Sequence, residues 1–133
     1  MDSPCYCASL RRATRRVSAL YDEALAPFGI NVAQYSLLQC IRHKGEVSLT
    51  ELGATLELDR STVGRNVRVL VRPGLLEMRR GKEDQREACV ALTKQGADLI
   101  KRAAEAWTQS QKKIEGQLGP HRVEQLRELL SAL

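Results

Sequence analysis

The stretch RSTVGRNVRVLVR, residues 60 to 72, holds four arginines, a serine, a threonine and an asparagine and no acidic side chain. Guanidinium forks, carboxamides and hydroxyls are the groups that hydrogen-bond to base edges and phosphates. Close behind it, RRGKEDQREA at 79 to 88 packs four basic and three acidic side chains into ten residues. From Arg60 to Arg86 eight basic residues stand against three acidic ones, and elsewhere 13 stand against 13, so this region carries the whole net charge of +5. Positive charge concentrated in this way is the electrostatic footprint of phosphate-backbone binding. A third group, Cys5 and Cys7, brings thiols, whose thiolate form is a nucleophile and a soft-metal ligand.

The elements that must position these groups follow from the apolar spacing. Leu10, Ala13, Val17, Leu20, Tyr21, Ala24 and Leu25 recur at steps of three and four, which predicts an amphipathic helix over 8–26, stopping near Pro27 and Gly29. A second helix fits 32–43, with Tyr35, Leu38 and Ile41 inward; the Lys44-Gly45 turn ends it and a short extended piece, Glu46-Val47, follows. Ser48 and Glu51 form an S-x-x-E capping box, so a short helix runs from Leu49 to Leu56. After a tight Glu57-Leu58 connection, Asp59 caps a helix from Arg60 to Arg72 that stops before Pro73-Gly74. Val63, Val67, Leu70 and Val71 share its inner face, which leaves Ser61, Thr62, Arg65, Asn66, Arg68 and Arg72 outside. LLEMRR and EACVALT alternate as two short strands, so RRGKEDQREA becomes the tip of a hairpin. A long helix from 93 to 118 carries Leu99, Ala103, Ala106 or Trp107, and Ile114, and Gly119-Pro120 separates it from a last helix with Val123, Leu126, Leu129, Leu130 and Leu133.

Two helices joined by a tight turn, the second polar and basic outside and followed by a basic hairpin, form a winged helix-turn-helix by pattern. The expected fold is mainly α with a small β-hairpin. In this arrangement the second helix enters a major groove, where Arg65 suits guanine, Asn66 suits adenine, and Ser61 and Thr62 meet base edges or phosphate. Arg60 and Arg68 add to its basic face, Arg80 and Lys82 reach phosphates, and Arg86 reaches the adjacent minor groove. The chain reads as one domain, 1–133, with 32–92 as the DNA-reading lobe and the helices of 1–28 and 93–133 as dimerisation arms. The apolar stripes of those arms fit self-association, the lesser alternative being completion of a monomer's core. A competing reading is a helical interaction module that presents the basic face to an acidic protein.

Composition closes other routes. At 133 residues, 43% apolar and 28% charged, the chain is globular, no apolar run spans a membrane, and the N-terminus lacks the basic-then-apolar order of a secretory signal, so the expected location is the cytoplasm. Cysteines at 5, 7, 40 and 89 do not form a disulfide scaffold. One Phe, one Trp and three Tyr are too few for a platform that stacks single-stranded bases. No nucleophile–base arrangement, paired carboxylates or glycine-rich phosphate loop points to an enzyme or a cofactor. Cys5-x-Cys7 has no further ligands nearby to make a metal site, and His43 and His121 stand alone.

The segments LTELGATLELDRSTVGRNVRVLVRPGLLEMRR and EDQREACVALTKQGADLI, the second with a D-x-R wing and L-T-x-x-G at the start of a long helix, resemble the MarR family of winged helix-turn-helix transcriptional regulators over nearly the whole chain. The resemblance implies an obligate homodimer in which the first, fifth and sixth helices of two chains interlock, with one recognition helix and one wing for each half of a roughly palindromic operator. It implies a repressor released by a small ligand or by cysteine oxidation. Arg86 falls on the position whose side chain enters the minor groove, and Asp84 on the acidic position that steadies it. Arg68 departs from the pattern: family members often carry an acidic residue there, able to hold the wing arginine, so here that work passes to Asp84 or Glu87. Pro73 is also unusual and is expected to stop the recognition helix sharply. Cys7 and Tyr21 resemble the peroxide-sensing branch, in which tyrosines hold an N-terminal cysteine, while Val32 stands where the second tyrosine belongs. Cys7 otherwise serves as a small apolar residue near the dimer interface. Trp107 packs the core or dimer, or lines a crevice of the kind in which the family commonly binds aromatic acids.

Overall fold

The computed structural model describes residues 3–81 and 83–133 of the chain. Helix α1 (Tyr6–Leu25) gives way to a 3-10 turn at Ala26–Phe28, and Gly29 closes it at φ 74°, a left-handed conformation that glycine adopts without steric cost. Helix α2 (Val32–Lys44) then starts with a signal not singled out in the sequence: Asn31 accepts from the Gln34 N–H and Gln34 accepts from the Asn31 N–H, both at 2.9 Å. This is a complete capping box. At the start of α3 (Leu49–Leu56), where a box was expected, only half of it forms. Ser48 accepts from the Glu51 N–H at 3.0 Å, but the Glu51 carboxylate turns to Lys44, 3.4 Å away.

Helix α4 (Arg60–Val71) follows after three residues. The turn depends on a close approach. Leu58 donates its N–H to the Gly53 carbonyl at 2.9 Å, and a Cβ on Gly53 would lie 3.0 Å from the Leu58 oxygen. Glu57 takes up the bend at φ 54°, a left-handed backbone that disfavours side chains with a Cβ. At its far end α4 stops before Pro73, as expected: Arg72 donates to the Arg68 carbonyl at 3.2 Å, and Pro73 has no N–H with which to continue the ladder. Arg72 keeps helical angles despite the proline behind it, and the chain turns only at Gly74, φ 83°. There Gly74 bonds back to Val71 and Leu75 bonds back to Leu70, at 2.9 and 3.1 Å, the pair that defines a Schellman C-cap.

The wing strands β2 (Leu76–Arg80) and β3 (Ala88–Leu92) pair antiparallel from Leu76↔Leu92 to Arg80↔Ala88. The expected hairpin gains a third strand, β1 (Val47–Ser48), on the other side of β3, with Val47 opposite Val90. Both valines are buried, and this drives the pairing. Helix α5 (Lys94–Leu118) starts at the Thr93 cap, and Gly119 separates it from α6 (Pro120–Ser131). Leu25, Leu38, Ile41, Leu52, Val63, Val67, Val90 and Ile100 form the center of the core. Helix α1 up to Val17 and all of α6 lie outside it: Leu10, Val17, Leu126, Leu129 and Leu130 remain 40–66% exposed. No described helix is long and apolar enough to cross a membrane.

The L-T-x-x-G segment explains how α5 docks on the wing. Thr93 Oγ1 accepts from the Gly96 N–H at 3.0 Å and lies 2.6 Å from the Gly74 carbonyl and 3.0 Å from that of Leu75. A Cβ on Gly96 would sit 2.2 Å from the Leu75 oxygen and 2.7 Å from Leu92 Cδ1. Overpacking of this kind costs about 3 kcal/mol at the upper end of its usual range. Alanine's better helix propensity returns about 1 kcal/mol. Gly96→Ala is therefore expected to lower stability by roughly 2 kcal/mol in urea unfolding; an unchanged midpoint would show that α5 is not held against Leu75.

Candidate nucleic-acid interface

The start of α4 is built around one carboxylate. Asp59 Oδ1 accepts from the Thr62 N–H and from the Ser61 hydroxyl, each at 2.8 Å. These bonds, the backbone one foremost, lower its pKa to about 2, and the nearby Arg65 charge adds to the effect. Ser61 thereby commits its only proton and faces outward as an acceptor alone, a partner for a base amino group rather than for a phosphate oxygen. Arg65 leans back one turn and donates to Thr62 Oγ1 at 3.3 Å.

Around the helix axis, Ser61, Arg65, Arg68 and Arg72 fall on one exposed face, with Thr62 and the 53%-exposed Val69 along its edge. Val69 was not singled out in the sequence, although an apolar side chain at an outward helical position was the available signal; the thymine methyl is its counterpart in a major groove. Arg60 is exposed in the first turn. Asn66 stands apart. It lies about 160° from Arg68 around the helix and lines a cavity of about 160 Å³ with Asn31, Gln34, Leu37 and Val69, at the start of α2. Arg68 folds along its own helix, with its guanidinium over Gly64.

In the wing, Gly81 lets the loop close on itself. A Cβ there would lie 2.6 Å from the Asp84 carbonyl oxygen, and the Gly81 N–H reaches the Glu87 carbonyl at 2.9 Å. Asp84 and Arg86 are brought together, in a different manner from the one expected. The Asp84 carboxylate accepts from the Arg86 backbone N–H at 3.0 Å and stands only 4.0 Å from Nε, so it shapes the turn more than it holds the guanidinium. The Arg86 side chain is 97% exposed. Arg79 pairs with Glu77 on one face of β2, while Arg80 points to the other face and is exposed. Lys82 lies outside the described residues.

The expected association of Cys7 with Tyr21 is not formed within the protomer. Both lie on α1, fourteen residues and therefore about 21 Å apart at the helical rise. Cys7 is exposed in the first turn, whereas Tyr21 is buried and packs on Trp107 with ring centroids 6.5 Å apart. Burial pushes the Tyr21 phenol pKa up, and the Glu115 charge adds to this. On its other side Trp107 stacks on Tyr35 at 5.9 Å. An open crevice beside this stack, about 670 Å³, is lined by Tyr35, Gln39, Cys40, His43, Lys44 and Trp107.

Comparison with known proteins agrees with this geometry. The model of the MarR family matches residues 30–88. The HTH-type transcriptional regulator YwoH of Bacillus subtilis is 34% identical over 86 residues, which are 65% of this chain and 62% of that protein. A mutant of MarR from E. coli complexed with operator DNA has a TM-score of 0.88 at 25% identity, over 94% of this chain and 90% of that one. The M. tuberculosis transcriptional regulator MosR in complex with DNA has a TM-score of 0.84 at 30% identity, over 97% of this chain and 96% of that one.

The Asp59 cap is testable by itself. Its folded pKa lies below the ordinary value of 3.8, so its contribution to stability is complete above that value and is lost as pH falls through about 2. Asp59→Asn retains a capping oxygen without the titration. Between pH 4 and 2 the wild-type unfolding midpoint is expected to fall more steeply than that of the variant, and parallel curves would mean that the carboxylate charge is not what holds the cap.

Proposed function

Because this chain belongs to the MarR family of winged helix-turn-helix transcriptional regulators, we propose that it is a repressor that binds a roughly palindromic duplex operator as a homodimer. The observation that carries this reading is the exposed face of α4. Ser61, Arg65, Arg68 and Arg72 stand there with no acidic residue between Arg60 and Arg72. The wing adds Arg80 and Arg86, with Lys82 contributing from the sequence. Arg65 is the candidate for guanine, Arg80 for phosphate, and Arg86 for the minor groove, where a freely projecting arginine meets the strongest negative potential. Asn66, on the flank toward α2, is a weaker candidate for adenine than its residue type suggested.

The arms support the homodimer. Leu10, Val17, Ile114, Leu126 and Leu130 line an apolar groove of about 390 Å³ between α1, α5 and α6, and no described helix covers it. Interlocked arms would set the distance between two recognition helices. Release then follows from a signal that alters this distance: a small ligand in the crevice beside Trp107, or oxidation of the exposed Cys7 thiol. The cytoplasm, where operators are found, is the location this function requires. A basic face made for an acidic protein is the competing reading; it predicts no preferred duplex.

Selection of bound duplexes from a random pool tests the reading directly. Arg65→Ala is expected to relax preference at one base pair, by about 1–3 kcal/mol, whereas Arg80→Ala weakens all duplexes alike and reduces the salt slope by about 0.9. Equal, sequence-independent losses in both variants would remove Arg65 from base reading. For the homodimer, Leu130→Glu places a charge in the apolar groove and is expected to shift the sedimenting species from dimer to monomer; a monomeric wild type would refute the assembly. Peroxide treatment is expected to release the operator from the wild type and not from Cys7→Ser if oxidation is the signal, and retained binding in the oxidized wild type would leave the ligand route alone.

A further inference from the structure

Gly64 is out of place by helix propensity, since glycine is the poorest helix former after proline and this position is in the middle of α4. It is nevertheless buried, and Arg68, one turn on in the same helix, lies against it. The three atoms nearest its Cβ position, the helix's own backbone aside, belong to the Arg68 guanidinium: Nη1 at 3.3 Å, Nη2 at 3.6 Å and Cζ at 3.8 Å. Distances so nearly equal mean that the guanidinium lies across the glycine. Helical side chains lean toward the N-terminus, and this seat carries the charge back a full turn, level with Arg65. That half of a recognition helix is the part that reaches base edges. Among the described residues no carboxylate pairs with Arg68, so its donors stay available.

We propose that Arg68 reads a base pair in the major groove, with its fork directed at guanine O6 and N7, and that Gly64 is the positioning residue that aims it. This rests on the DNA-binding reading above. An arginine swung outward from the same Cα would meet phosphates, and what keeps Arg68 from that path is the flat surface left by the missing side chain. Any larger residue at 64 displaces the guanidinium.

The test compares wild type, Arg68→Ala, Gly64→Gln and the double variant by duplex selection, by the dependence of binding on salt, and by thermal melting. Arg68→Ala is expected to lose preference at one or two base pairs, roughly tenfold to a hundredfold, with the wild-type salt slope retained. Gly64→Gln is expected to lose preference at the same base pairs while melting no lower than wild type, because glutamine is the better helix former. The double variant should be no worse than Arg68→Ala. A uniform loss of affinity for Arg68→Ala, with a slope lower by about 0.9, makes Arg68 a phosphate contact and overturns the proposal. Unchanged preference in Gly64→Gln overturns the positioning role. If Gly64→Gln melts far below wild type, Gly64→Ala replaces it: its Cβ moves the guanidinium by only tenths of an ångström, a several-fold loss is expected, and none refutes the role. A wild type that enriches no duplex refutes DNA binding itself, and it is recognized because no preference exists to be lost.

Discussion

The contact on which the DNA-reading lobe depends is the approach of Leu58 to Gly53. A helix that reads bases must leave its partner helix at a fixed angle, and the connection between α3 and α4 is too short for side-chain packing alone to set one. The backbone does it instead: the Leu58 N–H reaches the Gly53 carbonyl at 2.9 Å, and the space for the Leu58 oxygen exists because residue 53 has no Cβ. Glu57 absorbs the bend in a conformation that costs about 1 kcal/mol for a residue other than glycine. With the angle fixed, Val63 and Val67 enter the core and the arginine-bearing face is turned to solvent. The Asp59 cap comes second in this order, because it can satisfy the first amides of α4 only after the turn has placed them.

The electrostatics of the interface follow from the same placement. An exposed arginine is screened over about 8 Å at physiological ionic strength, so isolated charges steer DNA weakly. Arg65 and Arg68 each fold toward the N-terminus of α4 and concentrate their charge where the helix dipole is also positive. Asp59 is an acidic group near Arg65, and its Oδ1 is engaged by Ser61 and the Thr62 amide. The wing works differently. Arg86 projects with one loose ion pair, and rigidity is supplied to its backbone by Asp84 and by the closure at Gly81. One element presents arginines held along a helix, and the other presents an exposed arginine on a held loop.

Most of the fold was legible in the sequence because apolar periodicity and end signals agree. Leu49–Leu56 and the start at Arg60 are read correctly from Ser48 and Asp59, since cap chemistry is local. The third strand was less legible, because two residues at Val47–Ser48 carry no period of their own and pair only once β3 is beside them. The Asn31–Gln34 box was overlooked although both residues are local, whereas half of the Ser48–Glu51 box was lost to Lys44, a competitor that only the folded chain brings near. At the site, residue types marked the correct face but not the direction of each side chain. Asn66 lies on the flank and Arg68 on its glycine, because two residues change the azimuth on a helix by 200°. The placement of Cys7 and Tyr21 shows a different limit: within one protomer a shared helix keeps them apart, which their types alone do not tell.

The arms and the lobe share one core, in which Leu25 of α1 and Leu99, Ile100 and Ala103 of α5 pack with residues of α2 and α4, and specific contacts around it bear on how a signal could pass between them. Asp22, near the end of α1, accepts from the Val32 N–H at 2.8 Å and so ties the first helix to the start of α2. Tyr21, Trp107 and Tyr35 stack in sequence from α1 through α5 to α2. Beyond these, α5 runs continuously from the Thr93 cap on the wing to the groove beside α6. A tilt of α5 therefore cannot be confined to the arms, because its first turn is in backbone contact with Leu75, and Leu75 belongs to the turn that ends the recognition helix. Packing too tight to accept one methyl group at Gly96 leaves little slack, so the junction that makes the fold sensitive to substitution also fixes the first turn of α5 against the turn that ends α4.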